Sequence, residues 1–343
     1  MARVAVRTLG QPIKNYLING DFGIWQRNVG TAGPFTEDTS YTYKSVDRWQ
    51  HRFDDAIASS TLRQWARVND APVTVLTASP FGVSAFRHIF RRGNLGIWVS
   101  LLAQKVESYL AAEMYNQNPS GKVSVSVWIK SLTATNVSMT LATANTKDTF
   151  SSVTTVLASN KTFTNNGTWQ QIKWEGIPVT AAFVNGVSVQ FDIRTPAAVG
   201  ADGTDQELRV SMAQLNKGEV ISDFSLCEAT HADELALCQR YYEKSFDLAT
   251  DFSTPTSTGS FRENSASGGI FRSSVRYKVK KRVLASPINI YSVNATTAMR
   301  IYMGGINQVA SVVVNGESGF AVEAGGAANT DCLYQFTADA EIP

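Results

Sequence analysis

The chain has 343 residues, 43% of which are hydrophobic, and a formal net charge of +2 at pH 7. This length fits two moderate domains, and the hydrophobic fraction excludes wholesale disorder. The near-neutral charge gives no electrostatic reason to expect a nucleic-acid partner, because nucleic-acid-binding proteins concentrate basic residues on one face.

No segment of the sequence indicates a membrane or a cysteine-based site. The start, MARVAVRTLGQPIK, lacks the apolar core of a secretory signal, and no apolar run is long enough to cross a bilayer. We therefore expect a soluble protein made in the cytosol. The spacing of Cys227, Cys238 and Cys332 fits neither a disulfide framework nor a zinc site, so we interpret them as buried small hydrophobic residues.

Residues 15–30, NYLINGDFGIWQRNVG, begin with a turn signal. Asn19-Gly20-Asp21 is typical of a turn, and the six residues after it alternate between two faces. This pattern predicts a first strand that starts directly after the turn.

Alternation with a period of two residues dominates the middle of the chain. In KVSVSVWIK (122–130) the valines and Ile129 share one face, and Trp128 falls on the other. Short turn signals separate such segments, which predicts an antiparallel, jelly-roll-like β-sandwich. The other segments are VSVQFDIRT (187–195) and ELRVSMAQL (207–215), and the turns are NPSG (118–121), NNG (165–167) and ADG (201–203).

Two segments have helical spacing. LLAQKVESYLAAEM (101–114) fits either a helix or a strand followed by a helical turn. THADELALCQRYYEKSF (230–246) is the better helix, because Thr230 and Asp233 resemble a capping box and an apolar stripe follows them.

The composition after this helix divides the chain. A Ser-, Thr- and Gly-rich stretch follows, and alternation then resumes to the end. We predict a mainly β protein in which a short helix joins the sandwich to a smaller β domain. The predicted units are an N-terminal arm (1–14), a sandwich (15–230), a linking helix (231–250) and a C-terminal β domain (251–343).

The sequence contains no motif of a known catalytic class. It lacks GxSxG, HExxH and a phosphate-binding Gly-rich loop. We interpret His51, His88 and His231 as surface or packing residues, with His231 exposed at the start of the predicted helix. Carboxylates at 54–55 and 202–207 are typical of solvated loops. We therefore predict no enzymatic activity and no cofactor.

Two groups of residues are candidate binding sites. Trp128 is the candidate carbohydrate-binding residue, because exposed indoles stack on sugar rings; packing against a loop or subunit is the alternative. Arg276, Lys278 and Lys280 alternate onto the outer face of a predicted strand. They are either a basic contact patch for an acidic glycan or partner protein, or a guard against edge-to-edge pairing.

An ordered series of segments resembles a family of bacteriophage and prophage virion proteins. These are mainly tail-fibre or receptor-binding proteins built on a sandwich similar to carbohydrate-binding modules. The segments are INGDFGIWQR (18–27), DRW (47–49), AQKVE (103–107), VSVSVWIKS (123–131), WQQIKW (169–174), AQLNKGEVISDF (213–224), ELALCQRYYEKS (234–245) and YQFTADAEI (334–342).

The resemblance implies several structural features. The strand after Asp21 would belong to the sandwich, and Asp47 and Arg48 would form a hydrogen-bonded pair beside Trp49 in a neighbouring core strand. Related sandwiches often hold a structural calcium near their first strand, which makes Asp21 a calcium candidate. The sequence departs from the family pattern at Asn28, in place of Gly, and at Asn216, in place of Glu.

The resemblance also implies a function. It suggests a homotrimeric tail fibre or spike of the virion, made in the host cytoplasm, which binds host-surface glycans without catalysis. The alternatives are a capsid or neck decoration, or head fibre, that contacts other virion proteins, and a glycan-cleaving depolymerase. Only about fourteen residues precede Asn15, where long fibres have an anchoring region, and this favours a short spike, a fibre tip or a decoration.

Overall fold

The computed structural model describes residues 14–27, 31–32, 41–55, 60–68, 70, 85–92, 98–195, 205–266 and 269–343. The predicted arm, apart from Lys14, and Asn28, Asp202 and the predicted turn at 201–203 lie outside the described residues. The side chains of Asp54, Asp55, His88 and Asp205 also lie outside them.

The first part of the chain forms two antiparallel sheets. One has the strand order β1-β3-β4-β11-β6-β9 and the other the order β2-β5-β10-β7-β8. The elements are β1 (Thr31–Ala32), β2 (Gln50–Asp55), β3 (Ser60–Val68), β4 (Ala85–Arg92), β5 (Trp98–Val106), α1 (Ser108–Asn116), β6 (Lys122–Ser131), β7 (Asn136–Thr146), β8 (Thr149–Thr162), β9 (Gln170–Pro178), a 3-10 helix (Ala181–Asn185), β10 (Val187–Arg194) and β11 (Asp205–Lys217).

The inner faces of these sheets build one hydrophobic core. Val125 and Val127 of β6 and Phe191 of β10 are fully buried in it, and the rings of Trp174 and Phe191 lie 6.0 Å apart. The predicted alternation is therefore the alternation between this core and the outer face of each sheet.

The remaining elements form a third antiparallel sheet with a separate core. Its main strand order is β12-β19-β16-β17-β18-β14, and β13 and β15 also pair with β19. The elements are α2 (His231–Gln239), β12 (Tyr242–Lys244), β13 (Phe261–Asn264), β14 (Ile270–Arg276), β15 (Ile288–Ser292), β16 (Arg300–Met303), β17 (Ile306–Gly316), β18 (Gly319–Gly325) and β19 (Asp331–Asp339).

This architecture confirms the predicted fold class: a mainly β chain with an antiparallel sandwich, a short helix and a smaller β unit. The ambiguous segment 101–114 is a strand followed by a helix, β5 and then α1. The predicted linking helix 231–250 is shorter, because Tyr242–Lys244 pair with β19 as β12. Thr230 caps α2 as predicted: its Oγ1 accepts the Asp233 backbone N–H at 3.2 Å. The domain boundaries stay predictions.

The predicted first strand after Asp21 is wrong. Asn19-Gly20-Asp21 does form a turn, but residues 22–27 are buried irregular chain, and Phe22 has a φ of 57° that no strand allows. Side chains replace the missing sheet pairing: the Asn19 amide donates to the carbonyls of Ile24 and Asp47, both at 2.9 Å. Segment 15–27 is thus a buried connector.

Gly20 allows this connector to touch the sheet. The Ala213 backbone N–H donates to the Gly20 carbonyl at 2.8 Å. A Cβ at position 20 would lie 2.2 Å from the Ala213 carbonyl oxygen, so only glycine permits this approach.

The predicted Asp47–Arg48 pair in a core strand is also wrong. Residues 47–49 precede β2, and Arg48 has a φ of 71°, which turns the two side chains apart. Asp47 faces Arg27 at 3.6 Å and accepts the Gln26 amide at 2.6 Å, whereas Arg48 pairs with Glu341. Both arginines therefore have partners distant in sequence.

These contacts form a buried ion network, defined as Arg27, Arg48, Asp47, Asp339 and Glu341. Arg27 lies 3.0 Å from Asp339 and 3.3 Å from Glu341. The Arg48 and Arg27 guanidinium groups stack over the rings of Tyr241 and Tyr242, 3.4 and 3.7 Å from the centroids. Burial opposes the charge of both arginines, but the carboxylates outweigh it and raise the pKa of both, so both stay charged. The network joins the connector to the end of the C-terminal sheet.

We predict that Glu341→Ala lowers the free energy of unfolding by about 3–5 kcal/mol, because it leaves the buried Arg48 without its carboxylate partner. Urea denaturation measures this change. The control is Glu317→Ala, which removes an exposed partner of Lys280 and should leave the free energy of unfolding nearly unchanged. Equal losses in the two variants would contradict the role of the network.

We predict that the free energy of unfolding depends on pH through Glu234. Its carboxylate accepts the backbone N–H groups of Asn19 at 2.5 Å and Glu228 at 2.9 Å. Burial raises the pKa of Glu234 from 4.5 to about 7. The native state therefore binds this proton more tightly than the unfolded chain does. Its stabilisation is complete below pH 4.5 and is lost as the pH rises through 7.

The measurement compares wild type with Glu234→Gln by urea denaturation at several pH values. The wild-type free energy of unfolding should fall relative to that of the variant, by about 3 kcal/mol across this window. A difference that does not vary with pH would contradict the assignment.

Candidate functional site

The outer face of the six-stranded sheet carries the predicted residue Trp128. Trp128 lies between Ser211 of β11 and Gln171 of β9, because β6 pairs with both strands. The neighbouring position on β6, Lys130, pairs with Arg209 of β11. These side chains share the face opposite the hydrophobic core.

Trp128 is placed as predicted, on the face opposite the valines of its strand. Val125, Val127 and Ile129 are fully buried, whereas Trp128 is partly exposed. A partly exposed indole on a polar sheet face offers a flat apolar surface to a ligand or partner.

A second indole and an ion cluster lie beside Trp128. The Trp169 Nε1–H donates to Asp70 Oδ1 at 3.4 Å, and Lys130 Nζ donates to Asp70 Oδ2 at 3.0 Å. Arg209 pairs with both Asp70 and Glu207. Trp169 is also partly exposed, so Asp70 holds it at the edge of the same face.

The ion cluster remains accessible to solvent. The side chains of Asp70, Lys130 and Arg209 are 30%, 29% and 22% exposed. Partial burial lowers the pKa of the Arg209 guanidinium, which is still charged at neutral pH because its ordinary value is 12.5. Each group retains capacity for further hydrogen bonds, since a carboxylate accepts about four and a guanidinium donates five.

A loop covers the other end of this face. Gln214 donates to the Ser222 carbonyl at 2.9 Å, and the Ser124 hydroxyl donates to the Gly218 carbonyl at 3.0 Å. Ser126 is fully buried beneath this region. The accessible part of the face is therefore what we call the indole face, defined as Trp128, Trp169, Gln171, Lys130, Arg209 and Asp70.

The indole face combines flat apolar rings with hydrogen-bonding groups. Indole rings stack on ligand surfaces that present C–H groups, and the amide, ammonium, guanidinium and carboxylate bond hydroxyl groups around such a surface. Sequence reasoning identified Trp128 only. Trp169 and Arg209 were detectable by alternation, whereas nothing near Asp70 in sequence indicated that it would hold them.

The outer face of the five-stranded sheet is also polar but less aromatic. Arg194 Nε donates to Asp192 Oδ1 at 2.9 Å, and Gln190 lies on the same face. Tyr41 contributes a ring 5.9 Å from the Arg52 guanidinium, and burial raises the pKa of Tyr41 to about 12. This face serves below as the comparison for the indole face.

The predicted basic residues are exposed, but only one lies on a strand. Arg276 ends β14, the last strand in its sheet order, and Lys278 and Lys280 follow it outside any strand. The continuous strand predicted here stops because Lys281 turns inward to Glu243 at 2.6 Å. Lys280 lies 2.8 Å from Glu317. The alternating three-residue patch is therefore corrected to three exposed cations around a strand end.

Asp21 is engaged within the protein. Its Oδ1 accepts the Gly23 backbone N–H at 3.2 Å, and its Oδ2 lies 2.9 Å from His231 Nε2. The predicted exposure of His231 is wrong: it is buried because the start of α2 packs on the connector. In the described part of the chain, no three His, Cys, Asp or Glu side chains are grouped to hold a metal ion.

Two sequence-based expectations can be compared directly with the described residues. Cys227, Cys238 and Cys332 are free and buried, which confirms their interpretation as hydrophobic residues. Across the residues that the structure covers, no helix has both the length and the apolar character that a membrane span requires.

Comparison with known proteins finds structural likeness only. No protein-family model and no curated protein sequence matches the chain. Solved structures of carbohydrate-binding modules match its sandwich, at 8–12% sequence identity.

Three of these structures illustrate the extent of the match. A module from the β-sandwich superfamily is 8% identical, with a TM-score of 0.33. The match covers 54% of this chain and 64% of the module's chain, just under two thirds. A CBM4 module is 12% identical, with coverages of 58% and 97% and a TM-score of 0.30. A family 11 module from Clostridium thermocellum is 12% identical, with coverages of 57% and 98% and a TM-score of 0.28. Likeness at this level carries no argument about ligands.

Proposed function

We propose that the chain binds host-surface glycans without catalysis, as part of a bacteriophage tail fibre or spike. The observation that carries the glycan-binding proposal is the pair of partly exposed indoles, Trp128 and Trp169, on an otherwise polar sheet face. The ordered sequence segments that resemble virion proteins support the tail-fibre assignment.

The chemistry of the indole face suits a sugar ligand. A pyranose presents C–H groups on its ring faces and hydroxyls around its edge. Trp128 lies beside the Gln171 amide, and Trp169 lies beside the Asp70–Lys130–Arg209 cluster. Each indole therefore has hydroxyl-binding groups next to it, as stacking with hydrogen bonding requires.

The sign of the local charge favours neutral or weakly acidic glycans. Lys130 and Arg209 are offset by Asp70 and Glu207 in the same cluster. A strongly anionic polymer would require unpaired cations, and these are already paired. Lys173, two residues beyond Gln171 on β9, adds one further positive charge to this side of the sheet.

Weak binding at one indole face becomes useful through repetition. We propose a homotrimer, as the resembled family implies, so that several indole faces engage one cell surface. When geometry permits simultaneous binding, linked sites raise the overall affinity by roughly 10²–10⁴ without any new contact.

A capsid or neck decoration is the second candidate, and β17 favours it. Ile306, Val309 and Val314 are 59%, 63% and 63% exposed on this strand, more apolar surface than a solvated strand needs. Such surface is typical of contact with another protein. Electron microscopy of the particle distinguishes the candidates, because a decoration lies on the capsid and a fibre on the tail.

We predict that Trp128→Ala and Trp169→Ala each weaken retention on immobilised bacterial surface polysaccharide about 10- to 30-fold, because each removes a central aromatic anchor. Biolayer interferometry of the intact oligomer measures the change. Thermal melting of each variant verifies that the fold is retained.

Two control variants make the result specific. Tyr109→Ala removes a ring that is 50% exposed on α1, and Gln190→Ala changes the outer face of the other sheet. Both should leave retention unchanged. Loss in Gln190→Ala with full retention in Trp128→Ala would contradict the assignment to the indole face. Release of reducing sugar by the wild type would establish the depolymerase alternative.

A further inference from the structure

A pocket lies where the connector meets the C-terminal sheet. Its volume is about 190 Å³, and we call it the seam pocket. Arg27 and Tyr43 line it from the N-terminal side, and β12, β15 and β19 line it from the other. It shares no residue with the indole face.

Strand register brings the seam-pocket side chains together. Tyr242 pairs with Asp339, and Asn289 pairs with Thr337, because β12 and β15 both lie against β19. Tyr334, Phe336 and Ala338 of β19 belong to the second hydrophobic core. The pocket therefore occupies the opposite face of this sheet, where alternation places Thr337 and Asp339.

Aromatic rings form the walls of the pocket. Phe252 and Tyr291 lie 6.2 Å apart with their planes at 50°, so they present two faces at an angle. The rings of Tyr242 and Tyr43 complete the lining. The Arg27 guanidinium occupies one face of Tyr242 at 3.7 Å and lies 5.7 Å from the Tyr43 ring. The partly exposed Phe252, backed by the buried Tyr291, is therefore the main surface for a ligand ring.

The polar groups of the pocket have capacity for hydroxyls. Asp339 accepts the Glu341 backbone N–H at 2.9 Å through Oδ1 and pairs with Arg27 at 3.0 Å through Oδ2, and each oxygen retains a lone pair. Its side chain is 28% exposed. Asn289 is half-buried and adds an amide with one acceptor and two donors.

Charge and size restrict the ligand. Arg27 is balanced by Asp47, Asp339 and Glu341, so the buried wall offers no net positive charge to an anion. Lys44 adds a positive charge to the lining, which disfavours a cation in the pocket. The pocket volume lies below the roughly 300–1,000 Å³ typical of pockets for drug-sized ligands, so the pocket has room for a single ring.

We propose that the seam pocket binds a single neutral sugar ring, with Phe252 and Tyr291 against its C–H face and Asn289 and Asp339 bonding its hydroxyls. The ligand would contact both the connector and the C-terminal sheet. Binding would therefore stabilise the junction by mass action. This proposal is independent of the indole face.

The test is saturation-transfer difference NMR of the full chain with methyl glycosides of glucose, galactose, mannose and N-acetylglucosamine. Each is used at about 10 mM, since a one-ring ligand of this size binds with a Kd of about 1 mM. At least one glycoside should bind. Phe252→Ala and Asn289→Ala should each weaken its binding about tenfold or more, because they remove the stacking ring and the hydroxyl-binding amide, both outside the ion network.

Control variants separate this site from the indole face. Because the indole face would also bind sugar rings, the titration is repeated in Trp128→Ala/Trp169→Ala, whose remaining glycoside binding should be lost when Phe252→Ala is added. Tyr109→Ala, which lies in neither site, should leave glycoside binding unchanged. The unfolding midpoint of each variant without ligand reports whether it folds.

Two outcomes would overturn the proposal. One is the absence of any glycoside signal from the wild type, even if the indole face retains polysaccharide. The other is a signal lost in Trp128→Ala and kept in Phe252→Ala, which would assign sugar binding to the indole face alone.

Discussion

Two buried arginines join the connector region to the end of the C-terminal sheet. Arg27 and Arg48 lie in and near the connector, and the carboxylates that neutralise them, Asp339 and Glu341, lie at the end of the last strand. Burial of a guanidinium costs free energy unless the group is fully paired. Separating the connector from the C-terminal sheet would therefore carry a large free-energy penalty. The rings of Tyr241 and Tyr242, directly after α2, cover the same guanidinium groups. The network therefore fixes the sandwich, the helix and the C-terminal sheet at one point.

This constraint determines what each surface can do. The seam pocket exists because the network holds the connector against β12 and β19, and Arg27 and Asp339 belong to both. The indole face lies on a different sheet and depends on the register of β6, β9 and β11 and on Asp70, which holds Trp169 at its edge. One surface is thus built by ion pairing between distant segments, and the other mainly by regular strand pairing. Both place aromatic rings beside hydrogen-bonding groups.

Sequence patterns correctly predicted the strands whose position is determined by regular antiparallel pairing. The strands around Val125, Phe191 and Val210 follow from alternation, because one face of each packs in the core. The connector was misread as a strand, since its alternating pattern is satisfied by side chains such as Asn19 rather than by a neighbouring strand. The partner of Arg48 could not be predicted, because Glu341 lies 293 residues away and nothing local indicates it. Asp70 was missed for the same reason, and with it the position of Trp169.

The central functional claim is that ligand contacts the two indoles of the sheet face. Two-dimensional ¹H–¹⁵N NMR resolves the indole N–H signals of the seven tryptophans individually. Addition of a polysaccharide fragment that the protein retains should shift the Trp128 and Trp169 signals and leave those of the buried Trp49 and Trp174 in place. Unchanged Trp128 and Trp169 signals at saturating ligand would contradict the account.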